Sequence, residues 1–176
     1  QLSPSGGIVS SRIRPWLEIE FTPARCIYSD NGAVIEFEAS LFNSGAAPAR
    51  EVLLEARLFN AEQTQEEEVS AFFAHPHGQG NRIPEIPPLK RVSVRSAVSL
   101  TRDQLRAYRL EERLLWVPTV GFTALYRWSG GQGQTSTSFI LGRETKGDKM
   151  AAFRLDQGAR VFRGIGARPH TIGIRK

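Results

Sequence analysis

The chain has 176 residues, 40% of them hydrophobic and 23% charged, and a formal net charge of +5. A chain of this length can bury about two thirds of its unfolded surface, so we expect one domain whose core needs neither a metal nor a disulfide. The single cysteine, Cys26, excludes an intrachain disulfide, and no stretch approaches the roughly 18 to 20 continuous apolar residues of a membrane-spanning helix.

The N-terminal residues 1–14 combine Ser, Pro and Gly without an apolar period, which is typical of a flexible linker. The first residue is Gln, so we expect a processed chain or part of a longer protein. The alternation that follows predicts a half-buried strand with Leu17, Ile19 and Phe21 facing inward. Pro23 is predicted to end this strand.

Two further alternating segments, residues 33–42 and 51–59, predict strands with one apolar and one wet face. The alternation over residues 51–59 places Glu55 on the solvent-facing side of that strand. Between the two segments, Asn43 and Gly45 suit left-handed or other turn conformations, so this connection is predicted to serve chain reversal.

Two capping boxes predict two short helices, one opening at Thr64 with Glu67 and one at Thr101 with Gln104. The first helix has an apolar face at helical spacing. Residues 75–89, which follow it, are rich in Pro and Gly and are predicted to be a loop.

Residues 91–100, 113–128 and 134–141 complete about seven predicted strands, with Pro118 marking an edge or a bulge in the second of these segments. Their number and spacing predict an all-β fold, an immunoglobulin-like antiparallel β-sandwich with two short helices, over residues 15–142.

Charge is unevenly distributed along the chain. Residues 1–89 hold 12 acidic and 6 basic residues, whereas residues 90–176 hold 6 acidic and 17 basic ones. Residues 143–176 carry 9 bases and 3 acids and form a basic C-terminal extension, which we expect to pack on or beside the sandwich. This distribution indicates either a basic face for an anionic membrane or charges that pair across one folded surface. Nucleic acid is not favoured, because few aromatic residues lie among the bases.

No motif in the sequence carries catalysis. There is no Gly-x-Ser-x-Gly elbow and no complete dinucleotide or phosphate loop. His75 and His77 offer two metal ligands with Glu85 as a weak third, but no further ligand lies at metal-binding spacing. Cys26 sits in a short apolar run and is interpreted as a buried hydrophobe. We therefore expect no enzyme activity, cofactor or metal.

Two groups of residues are candidates for partner contact. Trp16 and Trp128 lie at strand ends, where exposed tryptophans bind sugars or proteins, or else cap the core. Four arginines of the basic extension are candidates for contact with anionic lipid: Arg154, Arg160, Arg163 and Arg168.

The segment VIEFEASLFNSGAAPAREVLLEARLF resembles bacterial immunoglobulin-like domains grouped near the cell-adhesion-related domain. The segments RPWLEIEF, AFFAHP, YRWSGGQGQTSTSFILGRE and FRLDQGARVFRGIGAR resemble an uncharacterised family of alphaproteobacterial membrane-anchored proteins. That resemblance implies an anchor N-terminal to this chain and an inner-membrane location, with the cytoplasmic face favoured over the periplasm.

These observations together favour a non-catalytic structural or protein-interaction module of the cell envelope. The expected partner is a protein, bound by edge-strand pairing. A homo-oligomer and a larger membrane assembly are two further possibilities for the state of the protein. The alternatives are a carbohydrate-binding module and a module that binds anionic membrane surfaces.

Overall fold

The structure is a computed structural model that describes residues 13–170 and 173–176. It is an all-β fold, as the alternating sequence predicts, and the described residues contain one α-helix. The elements, in chain order, are β1 (Leu17–Ser29), β2 (Gly32–Asn43), β3 (Ala49–Phe59), α1 (Gln65–Ala74), β4 (Asn81–Ile86), β5 (Arg91–Thr101), β6 (Tyr108–Leu110), β7 (Arg113–Trp116), β8 (Thr119–Trp128), β9 (Gly131–Arg143), β10 (Phe153–Arg154), β11 (Arg160–Phe162), β12 (Ile165–Pro169) and β13 (Ile174–Arg175).

The strands form three antiparallel sheets. The first has the order β11-β1-β2-β5 and the second the order β12-β9-β8-β3-β4, with β13 also paired to β9. A small third sheet has the order β10-β7-β6. The two large sheets pack together, and β5 and β4 lie at the same side of the resulting sandwich, where β3 contacts β5.

Four phenylalanine rings join the two large sheets at the centre of the core. Phe21 and Phe37 of the first sheet lie 5.1 and 5.3 Å from Phe122 of the second, measured between ring centroids. Phe139 completes the group, 5.2 Å from Phe21. Burying a side chain of this size stabilises a fold by about 1.5–3 kcal/mol, so this contact is a main source of adhesion between the sheets.

Strands β2 and β5 follow their predicted patterns closely. The inward residues of β2 are buried as expected: Ile35, Phe37, Ala39 and Leu41. In β5 the even-numbered side chains are buried or half-buried and the odd-numbered ones are exposed. The sequence alternates between polar and apolar residues because each of these two strands has one face towards water.

The predicted end of the first strand at Pro23 is wrong. Strand β1 continues to Ser29, and its register against β2 shifts between Pro23 and Arg25. A bulge at this point accommodates Pro23, which has no N–H to donate, without ending the strand.

Helix α1 confirms the first predicted helix, with Val69, Phe72 and Phe73 buried. Its capping box is not formed, because Thr64 makes no side-chain bond to the helix. The second predicted helix is wrong. Thr101 and Gln104 do exchange the expected bonds, since each backbone N–H donates to the other's side chain. The turn they close leads into an extended segment instead of a helix.

The predicted loop over residues 75–89 contains a strand, β4, which pairs with β3 alone. Ile83 and Ile86 are its buried residues, whereas Pro84 is exposed. An edge strand tolerates proline, since one side of its backbone needs no partner. The prediction failed because the Pro and Gly residues concealed a short apolar pattern.

The basic segment 143–176 contributes strands to all three sheets. Strand β10 pairs with β7, β11 with β1, and β12 and β13 with β9. Four of its apolar residues are buried, whereas Val161 is exposed: Phe153, Leu155, Phe162 and Ile165 are the buried ones. The predicted linker over residues 1–14 lies outside the described residues except for Ile13 and Arg14. Within the described ranges, no helix has the length and apolar character needed to cross a membrane.

Candidate interaction surfaces

The turn after β2 is organised by the buried side chain of Asn43. Its Oδ1 accepts hydrogen bonds from the backbone N–H groups of Trp16 (3.2 Å) and Gly45 (2.9 Å). Its Nδ2 donates to the carbonyl oxygens of Ala47 and Ile86, both at 2.9 Å. Neither Asn43 nor Gly45 has a positive φ. The turn therefore needs the amide of Asn43 for its hydrogen bonds. Of the two predicted possibilities, left-handed or other turn conformations, Asn43 and Gly45 adopt the second.

Gly45 is required by the close approach of the N-terminal segment. A Cβ at this position would lie 2.1 Å from the carbonyl oxygen of Arg14 and 2.6 Å from the nitrogen of Trp16. The same carbonyl accepts a hydrogen bond from Ala46 N–H at 2.9 Å. The backbone at Arg14 and Trp16 is thus held against the turn.

The two candidate tryptophans lie together, although they are far apart in the sequence. The guanidinium carbon of Arg14 lies 3.6 Å from the ring centroid of Trp16 and 4.4 Å from that of Trp128. The guanidinium of Arg175 lies 4.6 Å from the Trp16 ring. We call Arg14, Trp16 and Trp128 the tryptophan–arginine stack.

Gly133 makes room for the stack. A Cβ there would lie 2.8 Å from Nη2 of Arg14 and 2.6 Å from the ring of Tyr126. Nη2 is buried and has no hydrogen-bond partner among the described residues, so its environment is largely aromatic. A sugar stacking on these tryptophans would compete with the guanidinium of Arg14 for the ring faces.

The four candidate arginines of the basic extension are spread over the three sheets. Arg154 on β10 is half-buried and pairs with Asp156 at 2.7 Å. Arg160 on β11 lies 4.5 Å from the ring of Phe162. Arg168 on β12 donates to the backbone carbonyl of Asp148. Arg163 follows β11 and is exposed.

Glu55, predicted on a wet face, is buried with 4% of its surface exposed. Helix α1 and the segment after it cover this face of the second sheet, which is why the strand period misplaced it. The carboxylate accepts hydrogen bonds from the backbone N–H groups of His77 (3.0 Å) and Gly78 (2.9 Å). It therefore holds the segment that leaves the helix.

His77 contacts Arg57, whose Nη2 lies against the ring nitrogen Nδ1. His75 and His77 also line a groove described below. The described part of the chain contains no group of three His, Cys, Asp or Glu side chains placed to hold a metal ion. The thiol of Cys26 is buried, and burial raises its pKa to about 12, so it is a poor nucleophile at neutral pH.

A groove of about 1120 Å³ runs along the side of the sandwich where β3 and β5 meet. Its floor and walls come from the second half of β3, the second half of β5, one face of α1, and the segment after β5. Strand β4 pairs with β3 only as far as Leu54. Beyond that point no strand in the described part of the chain pairs with this edge of β3, and we call the opening beside it the β3–β5 groove.

The backbone of β5 presents free hydrogen-bonding groups to this groove. Asn43 N–H donates to Lys90 at one end of the β2–β5 ladder, and Arg102 N–H donates to Asn31 at the other. Hydrogen-bonding direction alternates along an antiparallel strand, so even-numbered residues of β5 face β2. The N–H and C=O groups of Ala97 and Ser99 therefore point away from β2. No strand pairs with that side of β5 among residues 13–170 and 173–176.

Strand β3 also has backbone groups on an edge that β4 does not cover. The carbonyl oxygen of Leu54 points towards Gly80, since a Cβ on that glycine would lie 2.1 Å from it. Alternation then places the backbone groups of Ala56 and Leu58 on the same edge, beyond the end of β4. Two open strand edges thus face one groove, which is an arrangement suited to an extended peptide.

Comparison with known proteins gives no relative: no family model, curated protein or solved structure matches the chain.

Sequence reasoning missed the β3–β5 groove, because the groove depends on where β4 stops relative to β3 and on the position of α1. One local signal was present. The segment Ser96–Ala97–Val98–Ser99 of β5 is a strand without charge, whereas Arg91 and Arg95 precede it. An uncharged stretch on an edge strand is typical of a site where another strand can pair.

Proposed function

We propose that this domain is a non-catalytic protein-interaction module that binds an extended segment of a partner protein in the β3–β5 groove. The segment pairs with the free edge of β5 at Ala97 and Ser99 and extends the first sheet by one strand. The observation that carries the proposal is the open, uncharged edge at these two residues, with apolar side chains of β3 and β5 lining the groove beside it.

Free strand edges are usually protected by charge, bulges or short length, because they pair readily with other chains. The first half of β5 carries Arg91 and Arg95, and its second half has no such protection. Each backbone hydrogen bond to a bound strand would contribute about 0.5–1.5 kcal/mol. Pockets for alternate side chains along the groove would add specificity.

The immunoglobulin-like assignment belongs to the same proposal. The strand order β1-β2-β5 opposite β4-β3-β8-β9 corresponds to the A-B-E and C′-C-F-G strands of that fold. In this correspondence, no D strand formed by the described residues covers the free edge of β5. The resemblance to membrane-anchored proteins supports the further proposal that the module works at the inner membrane, joined to an anchor N-terminal to this chain.

The test uses proline on the edge. In Ser99→Pro the strand loses an N–H that points away from β2, so the fold is retained while the added strand loses a donor. Ser93→Pro removes an equivalent N–H outside the groove and is the matched control. We expect crosslinked pull-downs from membranes of the source organism to recover one protein with the native domain and with Ser93→Pro. Ser99→Pro is expected to lose it. Equal recovery with Ser99→Pro, which retains its melting temperature, would rule out the edge as the binding site.

A further inference from the structure

We propose that the partner segment alternates apolar and acidic side chains, with an acidic side chain opposite Arg95. This inference rests on the proposed strand addition at β5 and names the chemistry of the segment. It follows from the two different faces that an added strand would have, because successive side chains of a strand point to opposite sides.

The inner face of the added strand would meet apolar surface. The groove is lined on this side by Val98 and Leu100 of β5 and by Ala56 and Leu58 of β3. Val98 and Leu58 are buried, with 8% and 3% of their surfaces exposed. Every second side chain of the partner should therefore be apolar.

The outer face of the added strand would lie beside the odd-numbered side chains of β5. Arg95 is the available charge among them, because its side chain is 88% exposed and its contact with Glu38 is long, at 3.4 Å. Arg91 is already engaged, since it pairs with Glu20 and lies 5.1 Å from the ring of Phe42. An acidic side chain directly opposite Arg95 would be a favourable cross-strand pair.

The other charges near the edge support the same sign. Arg106 follows the strand and lines the groove. The acidic residues that line the groove, Glu62 and Glu68, lie before and on α1 and do not belong to β5.

A second copy of the chain fits this edge less well. The outward residues of β5 include Arg91 and Arg95 and no acidic residue from 91 to 101. Pairing two β5 strands would therefore offer Arg95 no acidic side chain from residues 91–101 of the second copy. The observations favour an acidic partner segment over a symmetric dimer.

The test measures fluorescence anisotropy of three synthetic eight-residue peptides with valine at alternate positions and glutamate, serine or lysine between them. We expect the glutamate peptide to bind about threefold to tenfold more tightly than the lysine peptide. Arg95→Glu is expected to reverse that order, and added salt to weaken the difference. Arg109→Glu, on the exposed strand β6, is the matched charge reversal and should leave the order unchanged.

Amide hydrogen exchange separates the possible failures. If all three peptides bind equally and slow the exchange of the Ala97 and Ser99 amides, the strand addition stands and the acidic preference is wrong. If no peptide binds or protects these amides, both proposals fail. If the domain alone protects them and sediments as a dimer, the occupant of the edge is a second copy, which overturns the acidic partner.

Discussion

The indole rings of Trp16 and Trp128 share one cation, the guanidinium of Arg14, which lies 3.6 and 4.4 Å from their centroids. This relationship joins the start of β1 to the end of β8, so it connects the two large sheets at one end of the sandwich. A cation held between two aromatic rings is stabilised by each of them, by about 0.5–2 kcal/mol depending on how dry the site is.

We therefore expect Arg14→Ala to lower the free energy of unfolding by about 1–2 kcal/mol. Tryptophan emission should move to longer wavelength in the folded state, because the two rings gain contact with water. Urea unfolding followed by fluorescence measures both effects. Arg14→Lys should retain part of the stability, whereas an unchanged midpoint and spectrum in Arg14→Ala would show that the stack contributes nothing.

Gly45→Ala is expected to be strongly destabilising, because the new Cβ would lie 2.1 Å from the carbonyl oxygen of Arg14. Moving the N-terminal segment away from the turn should lower the free energy of unfolding by about 1–3 kcal/mol. Gly147→Ala is the control, since no atom lies within 4 Å of its new Cβ. Thermal melting of both variants gives the comparison, and equal melting temperatures would contradict the close approach.

Glu55→Gln should loosen the segment after helix α1. The carboxylate accepts two backbone hydrogen bonds, from His77 and Gly78, and a glutamine side chain can accept both only through its single oxygen. We expect a loss of about 1–3 kcal/mol in local stability and faster amide exchange at these two residues. Glu112→Gln, at an exposed position, should leave their exchange rates unchanged. Slow exchange at both amides in Glu55→Gln would mean that the carboxylate is not what holds the segment.

Stability at low pH should depend on Asp156. The Arg154 guanidinium, followed by the backbone N–H of Leu114, lowers the pKa of this carboxyl from 3.8 to about 2. A carboxyl whose pKa is lower in the folded state stabilises the fold above its unfolded pKa, and the contribution is lost as pH falls from about 4 to about 2. Asp156→Asn should therefore show a shallower decline of melting temperature across this range than the native domain. Asp148→Asn is the control, and an identical decline in all three proteins would refute the assignment.

The parts of the fold that could be predicted are those where local pattern and final environment agree. Strands β2 and β5 have one wet face, so their period of two was visible. The burial of Glu55 could not be predicted, because helix α1, which comes later in the chain, covers the face of β3 on which Glu55 lies. Pro23 and Pro84 were interpreted as breakers, but a bulge and an edge position accommodate them.

The candidate surfaces were predicted only in part. The sequence indicates Trp16 and Trp128 individually, but nothing local shows that they share Arg14, because their proximity depends on the pairing of sheets. The strands of residues 143–176 are two to five residues long and have no readable period. These short strands form because they pair with strands that are distant in the sequence, β1, β7 and β9. The β3–β5 groove depends on the difference in length between two neighbouring strands, which only the assembled sheet reveals.

Helix α1 is attached to the sandwich by a small cluster of its own, made of Phe59, Val69, Phe72 and Phe73, which is separate from the main core. A segment with so few apolar contacts can detach at a lower free energy than the whole domain needs to unfold. Since α1 forms one wall of the β3–β5 groove, each such opening would widen the site while the strand edges stay in place. A bulky partner segment would then bind only after the helix has opened. At high partner concentration the opening step would limit the association rate, which would stop rising with concentration.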